Sequence, residues 1–243
     1  SYASTGDIPS RGTQLLSGAT FPSNYYQNDF SYFNNPTLPD CQPPSSLPDW
    51  FGECSFDYSA YADLVPRQTQ LSALARGSYA IDKNNTLSLE FLQGNNTLTS
   101  TLAPTGVTAT AMPTNSPFYP GGPGGTPADT NPGFDPSAPL YVPWRTTAAG
   151  NRSSTFENKT DRFMLDWIGS HAGWDYSVAM LQSRSNLKNV FNSGYVNNTN
   201  MVAGLNGTLD AAGLTPPWLN PFGPQTAAGA AYIQSQQIRG VMQ

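Results

Sequence analysis

The chain has 243 residues, of which only 11% are charged, less than half of the roughly 25% usual in soluble domains. Its net charge of -5 and the lack of any Lys and Arg run exclude a nucleic-acid partner, because phosphate contacts need clustered cations. No stretch of about 18 apolar residues exists, so we expect no transmembrane helix. The 22 Gly, 22 Pro and 12% aromatics together indicate an ordered, β-rich chain with many loops.

A long loop precedes the first predicted strand, from about Phe21 to Pro66, and it holds an aromatic cluster. The stretch NYYQNDFSYF contains Tyr25, Tyr26 and Tyr32. Such side chains are candidates for ligand binding, since ligand pockets are mostly apolar with a few polar groups. The alternative is that these rings pack the loops against one another.

The same loop contains both cysteines of the chain, Cys41 and Cys54. They flank the Pro-rich stretch QPPSSLPDWFGE, which predicts a disulfide that closes a short loop in an oxidising compartment. A pair of free thiols is the alternative. We expect no metal at this pair, because His171, the single histidine, lies far away in the sequence.

Strict alternation of apolar and polar residues begins in Gln68–Asp82. Leu71, Tyr79 and the small residues between them share one face of a strand, and polar residues occupy the other. The turn KNN follows, and Thr86–Gln93 alternates in the same way. The two segments predict a β-hairpin with a very short connection.

About 40 residues rich in Pro, Gly, Thr and Ala come next, which is long for a connection inside a compact domain. They include Phe118 and Tyr119 of SPFYP, which join the loop tyrosines as ligand-binding candidates. Asp129, Asn131 and Asp135 offer oxygen atoms of the kind that calcium prefers, but their spacing does not match an EF-hand. A solvated turn is the expectation there.

A second hairpin is predicted within Asp161–Gln182, where a small-residue turn separates two alternating segments. Leu165 and Val178 fall on the apolar faces of its two strands. Asp166 and Ser177 fall on the polar faces. Both a soluble β-sandwich and a membrane β-barrel produce this pattern.

The order of connections favours the barrel. Another long loop follows from about Asn192 to Thr226, so that tight turns alternate with long loops, as in outer-membrane barrels. Tyr79, Trp167, Trp174 and Tyr176 lie close to the tight turns, as in an aromatic girdle. We therefore predict an all-β fold, in which antiparallel strands of a transmembrane β-barrel form a partial barrel with long extracellular loops.

Several segments, in order, resemble the middle of the barrel of bacterial TonB-dependent outer-membrane receptors of the large-loop proteobacterial kind. They are LARGSYAIDKNNTLSLEFLQGNNTLTSTLAPT, SPFYP, YVPWRTTAAGNRSS, AGWDYSVAMLQSRS, GYVNN and LNPFGPQTAAG. The resemblance runs from about Leu15 to Gly240. It implies a barrel of about 22 strands that is filled by a plug and imports a scarce nutrient with energy from TonB. No plug is recognised in residues 1–243, so we expect a barrel segment of roughly four to eight strands.

The resemblance also implies an outer-membrane location and a set of partners. These are the remaining barrel and plug, TonB through that plug, outer-membrane lipid and a small nutrient ligand. We expect no catalytic residue, metal or cofactor, because His171 falls in a predicted turn and no carboxylate pair has a telling spacing. The competing hypothesis is a secreted, extracellular β-rich structural subunit that self-assembles into filaments through strand edges.

Overall fold

The computed structural model describes residues 7–8, 13–14, 16–27, 29–63 and 65–242. It is mostly antiparallel β-sheet, with 46% strand and 11% helix, which confirms the predicted all-β class. The strands that the structure describes do not close into a barrel. Within the same residues, no helix has the length and apolar character needed to cross a membrane. Leu15, where the family resemblance starts, lies outside the described residues.

The strands are β1 (Asp7–Ile8), β2 (Thr13–Gln14), β3 (Tyr25–Gln27), β4 (Tyr32–Asn34), β5 (Ser46–Pro48), β6 (Cys54–Phe56), β7 (Arg67–Ala80), β8 (Asn85–Leu102), β9 (Gly106–Met112), β10 (Leu140–Arg145), β11 (Arg152–His171), β12 (Trp174–Ser193) and β13 (Gly240–Met242). The helices are α1 (Asn198–Asn206) and α2 (Ala227–Ser235), and short 3₁₀ turns occupy Ser59–Tyr61 and Thr147–Ala149.

The chain divides into two compact units. We call the first the loop unit; it comprises Ser1–Leu64, Thr101–Ser153 and Phe191–Arg239. We call the second the sheet unit; it comprises Val65–Ser100, Ser154–Val190 and Gly240–Gln243.

The sheet unit is built on five strands in the order β13-β12-β11-β8-β7. Both predicted hairpins are present, as β7–β8 and β11–β12. The β7–β8 ladder is continuous from the pair Arg67–Thr99 to the pair Ala80–Thr86. Strand β8 therefore passes the predicted end at Gln93, because polar residues such as Asn96 still find backbone partners in β7 and side-chain partners such as Gln68.

The loop unit has a hydrophobic core of its own, to which all three long loops of the sequence contribute. Its four-stranded sheet has the order β4-β3-β10-β9. Tyr25 from the first loop, Trp144 from the second and Met201 and Leu219 from the third belong to one buried cluster. These segments are thus folded structure, since their scattered apolar residues meet in one core.

Arg145 connects the first two loops, and no carboxylate of the described residues pairs with it. Its guanidinium donates to the carbonyl oxygens of Ala19 and Pro104 at 3.0 and 2.9 Å and lies 4.8 Å from the centroid of the Phe56 ring. Burial, followed by the charge of Arg152, lowers the pKa of Arg145 to about 10. The group stays cationic at neutral pH, and its hydrogen bonds are accepted by two backbone carbonyl oxygens and by the hydroxyl of Ser17.

The turn between β11 and β12 consists of two residues, Ala172 and Gly173, with φ of +52° and +82°. Positive φ at both central positions is the signature of a type I′ turn, whose twist matches that of paired strands. An L-residue in this region costs about 1–2 kcal/mol, and Asn tolerates it better than Ala.

We expect Ala172→Asn to stabilise the β11–β12 hairpin by a few tenths to about 1 kcal/mol and Gly173→Ala to destabilise it by about 1 kcal/mol. Urea unfolding of the full chain in detergent micelles measures both changes. Equal midpoints for the two variants would show that this turn does not adopt the type I′ conformation.

Candidate functional site

The predicted disulfide is confirmed. Cys41 and Cys54 are bonded, with their Cα atoms 5.6 Å apart, and both residues are buried. The closed loop presents two exposed aromatic side chains, Trp50 and Phe51, which are 65% and 83% exposed. Neither was among the sequence-derived candidates.

Most of the predicted ligand-binding aromatics are buried. Tyr25, Tyr26, Phe118 and Tyr119 are at most 8% exposed, and Tyr32 is half-buried. The structure places them inside the loop unit, where they pack the loops as the alternative interpretation expected. Their role in binding a ligand stays a prediction.

Strand alternation separates these tyrosines into two groups. In the β3–β4 pair, Tyr25 lies opposite Asn34 and Tyr26 opposite Phe33. Because neighbouring residues of a strand point to opposite faces, Tyr25 and Tyr26 enter different clusters. Tyr32 lies opposite Gln27 and shares the face of Tyr25.

Tyr25, Tyr32 and Tyr119 converge on one ring that sequence reasoning missed, that of Phe134. Their ring centroids lie 6.1, 5.9 and 6.0 Å from that of Phe134. Phe134 follows Gly133 in the stretch NPGFDP, which the sequence marks only as a turn. A turn signal does not reveal that its aromatic residue points inward.

Asp129 is the polar centre of this cluster. Its Oδ2 accepts hydrogen bonds from the hydroxyls of Tyr25, at 2.6 Å, and Tyr32, and from Asn34 Nδ2 at 2.9 Å. Its Oδ1 accepts from the backbone N–H and the Nδ2 of Asn131, each at 3.0 Å. Both oxygens are therefore occupied by neutral donors, an arrangement that serves packing rather than the calcium binding considered from the sequence.

The protonation states of these groups are well separated. Partial burial raises the pKa of Asp129, but the bonds from Tyr25, Tyr32 and Asn34 outweigh it, so the net pKa lies below its ordinary value. Burial, followed by the hydrogen bond to Asp129, raises the pKa of Tyr32 to about 12 and that of Tyr25 further. At neutral pH the carboxylate is charged and both hydroxyls donate.

The second aromatic cluster surrounds Tyr26. The rings of Phe30 and Tyr141 have centroids 4.6 Å apart, and each ring contacts Tyr26. Phe30 is 58% exposed and has a φ of +67°, which is uncommon for a bulky residue. The hydroxyl of Tyr26 donates to Glu53 at 2.6 Å. Phe30 and Tyr141 thus form an exposed aromatic surface of the loop unit above the buried ring of Tyr26.

The loop unit also contains open cavities. One of about 460 Å³ lies beside Tyr25 and Asp129. A larger one, of about 620 Å³, is bordered by the ring of Tyr119 and by Trp218. The hydroxyl of Tyr119 donates to the carbonyl oxygen of Ala138 at 2.7 Å. This predicted site residue therefore lines the cavity with its ring, while its hydroxyl is already hydrogen-bonded. Trp218 was not among the sequence-derived candidates, and the sequence feature that could have pointed to it is its position in the Pro-rich stretch TPPWLNPFG.

The sheet unit exposes its apolar face. In the β7–β8 register Tyr79 lies opposite Leu87 and Ala75 opposite Phe91. The exposed fractions are 71% for Leu71, 70% for Tyr79 and 43% for Phe91. A folded soluble domain normally buries such a row, because transferring each apolar side chain out of water lowers the free energy of the folded state.

The β11–β12 hairpin continues this face. The hydroxyl of Tyr176 donates to Asn85 Oδ1, and the Tyr176 and Trp167 ring centroids are 5.6 Å apart in an edge-to-face arrangement. Trp174 is 80% exposed and Val178 is 61% exposed. Four aromatic side chains near the tight turns and the apolar residues beyond them thus share one surface.

The opposite face is polar and partly covered. Glu90 lies directly opposite Arg76 in the ladder and 3.9 Å from the guanidinium of Arg162. Ser88 and Asp166 are among the buried polar residues. A few apolar residues also lie on this face, namely Leu74, Ile168, Leu181 and Leu187, all of them exposed.

Comparison with known proteins gives no assignment: no family model, no curated protein and no solved structure matches this chain.

Replacing Asp129 by Asn keeps the shape of the side chain and removes its charge. The amide places an N–H₂ group where two tyrosine hydroxyls or Asn131 donate, and hydrogen bonds to charged groups are worth about 1.5–3 kcal/mol each. We expect Asp129→Asn to lower the free energy of unfolding of the loop unit by about 2–3 kcal/mol at pH 7. A denaturant titration monitored by near-UV circular dichroism measures this change in the free energy of unfolding.

The pH dependence gives a sharper test. Because the folded-state pKa of Asp129 is depressed, its contribution is complete above the unfolded pKa of about 3.9 and is lost as the pH falls through the folded pKa. The difference between the variant and the parent chain should therefore shrink in acid. Asp135→Asn is the matched control, because Asp135 is exposed and, within the described part of the chain, its carboxylate accepts hydrogen bonds from Ser137 alone. A loss at Asp135 equal to that at Asp129 would contradict the assignment.

Proposed function

We propose that this chain is part of the barrel wall of a TonB-dependent outer-membrane receptor, and that its loop unit helps to admit or bind a small nutrient. The observation that carries the proposal is the exposed apolar face of the sheet unit. A strand that meets lipid on one face and a hydrated lumen on the other shows this distribution.

The height of the apolar face supports a membrane. Leu71 to Ile81 covers ten residue steps, or about 33 Å along an extended strand. At the tilt of about 40° usual in barrels, this length spans about 25 Å, the height of the apolar band of outer-membrane barrels. Above Leu71 the strand continues with Gln70 and Thr69, so the apolar row stops where the hydrocarbon region would end.

Side chains beyond the band support the same orientation. Asp161 accepts a hydrogen bond from Gln93 at 3.3 Å on the apolar face, two positions past Phe91. The ion pair Lys188–Glu157, at 3.7 Å, lies still farther from the tight turns. Charged groups therefore begin where the large apolar side chains end, as expected at the level of lipid headgroups.

The edge of the sheet supports a partner. All 14 residues of β7 are exposed, and this strand is the last in the sheet order. Unpaired backbone groups are not tolerated in lipid, because each costs several kcal/mol without water to satisfy it. Pairing with a further strand of the same receptor barrel would remove this cost.

The same edge favours a second candidate, a secreted subunit that assembles by pairing β7 with another copy. Long unpaired edges are templates for such assembly. In that case the apolar face would be covered by protein or exposed to water, whereas the receptor proposal places it in lipid.

Arg substitutions on adjacent residues of β12 test which solvent each face meets. We expect Met180→Arg, on the apolar face near the middle of the apolar row, to destabilise the chain in lipid bilayers by about 2–4 kcal/mol, whereas Ala179→Arg, on the polar face, changes stability by less than about 1 kcal/mol. Urea titration in vesicles gives both values.

Cysteine labelling separates lipid from protein. Both native cysteines are bonded to each other, so Val178→Cys and Ser177→Cys each supply a single thiol. An apolar maleimide should label position 178 in vesicles, and a charged maleimide should label position 177. Labelling of position 178 by the charged reagent, or by neither reagent, would overturn the receptor proposal and favour the secreted subunit.

A further inference from the structure

The large cavity beside Trp218 has an uncharged lining. Its wall consists of prolines, glycines, the ring of Tyr119 and three small polar residues, Thr114, Asn115 and Ser116. Its volume of about 620 Å³ falls in the range of small-molecule sites, which is roughly 300–1,000 Å³. A charged ligand would find no countercharge among these residues.

The rim of the cavity is tightly packed at Gly122, and its backbone at Gly121 has a conformation that favours glycine. A Cβ atom on Gly122 would lie 2.6 Å from the carbonyl oxygen of Pro117. Gly121 has a φ of +82°, which favours glycine. Thr126 Oγ1 also donates to the carbonyl oxygen of Phe118 at 2.8 Å. A preformed rim lowers the entropic cost of binding a ligand.

Trp218 is one of the residues that line this cavity, and its indole has both an aromatic ring and an N–H donor. One part of its indole is packed over Gly207, where a Cβ atom would lie 2.3 Å from Cη2. The side chain is half-buried, and among the described residues its indole N–H has no hydrogen-bond partner. The side chains of Thr114 and Asn115, both exposed, likewise make no hydrogen bond within the described part of the chain.

The charge of the loop unit argues against an anionic ligand. Its three sequence ranges contain ten Asp and Glu and four Arg, a net charge of -6. The ranges of the sheet unit contain six acidic and seven basic residues, a net charge of +1, and the two values add to the -5 of the whole chain. A surface with this excess of carboxylates repels anions during encounter.

We infer that this cavity binds a neutral oligosaccharide. One face of a pyranose ring carries apolar C–H groups, which pack against the electron-rich face of an indole. Its hydroxyls both donate and accept, which matches the amide of Asn115, the hydroxyl of Thr114 and the indole N–H of Trp218. The inference rests on the proposed function and names the class of nutrient that the loop unit takes.

The test is calorimetric titration of the full chain in detergent micelles with maltotriose, cellotriose and mannotriose, and with ferric citrate as the anionic probe. At least one trisaccharide should bind and ferric citrate should not. Trp218→Ala should weaken binding about tenfold or more. Asn115→Ala, on an exposed side chain, should weaken it about three- to tenfold without affecting the fold. Trp50→Ala, an exposed Trp outside the cavity, is the matched control and should bind as the parent chain does.

Three results would overturn the inference: no binding of any trisaccharide at millimolar concentration, binding of ferric citrate instead, or equal affinities of the parent, Trp218→Ala and Asn115→Ala chains. If Trp218→Ala fails to fold, the affinities of the Trp218→Phe and Asn115→Ala chains are compared with that of the parent chain instead. Failure of the inference is distinct from failure of the receptor proposal. If the apolar maleimide labels position 178 but no saccharide binds, only the saccharide inference is rejected. If a saccharide binds but the charged maleimide labels position 178, the receptor proposal is rejected.

Discussion

The alternation of side chains along an extended strand is the constraint on which the rest of the structure depends. Neighbouring residues point to opposite faces, so Tyr79 and Phe91 come to one surface while Arg76 and Glu90 come to the other. In this sheet the large apolar side chains of the first surface are exposed. Exposure of such a surface to water is unfavourable, and the proposed receptor would place it in lipid without a second protein layer.

The loop unit has few charges, and it must hold three Pro- and Gly-rich segments together in one fold. It does so by surrounding single ionic groups with neutral hydrogen-bond partners. Asp129 accepts from two tyrosines and two asparagines, and Arg145 donates to backbone carbonyls. Both groups are held by several hydrogen bonds, which is the condition under which a partly buried charge is tolerated. The aromatic rings then fill the space around Phe134, and the walls of the open cavities are fixed as a result.

The sequence predicts those features that a period of two or a local residue pair determines. Both hairpins, their apolar and polar faces and the Cys41–Cys54 bond are present in the structure. The end of β8 was missed, because Gly94 and the asparagines after it look like a turn while their backbone groups still pair with β7. The loop core and the sites at Phe134 and Trp218 were missed as well, since contacts between residues about 100 positions apart leave no local pattern.

The most direct test of the central claim, that the apolar face of the sheet unit meets lipid, is quenching of tryptophan fluorescence in vesicles. Trp167 and Trp174 lie on that face and are 43% and 80% exposed, whereas Trp144 is buried in the loop unit. Brominated lipids should quench part of the emission of the parent chain, and iodide in the water should not reach that part. The Trp167→Phe/Trp174→Phe chain should lose the lipid-quenched fraction. Quenching of Trp167 and Trp174 by iodide, with no effect of brominated lipid, would show that this face lies in water and would contradict the account.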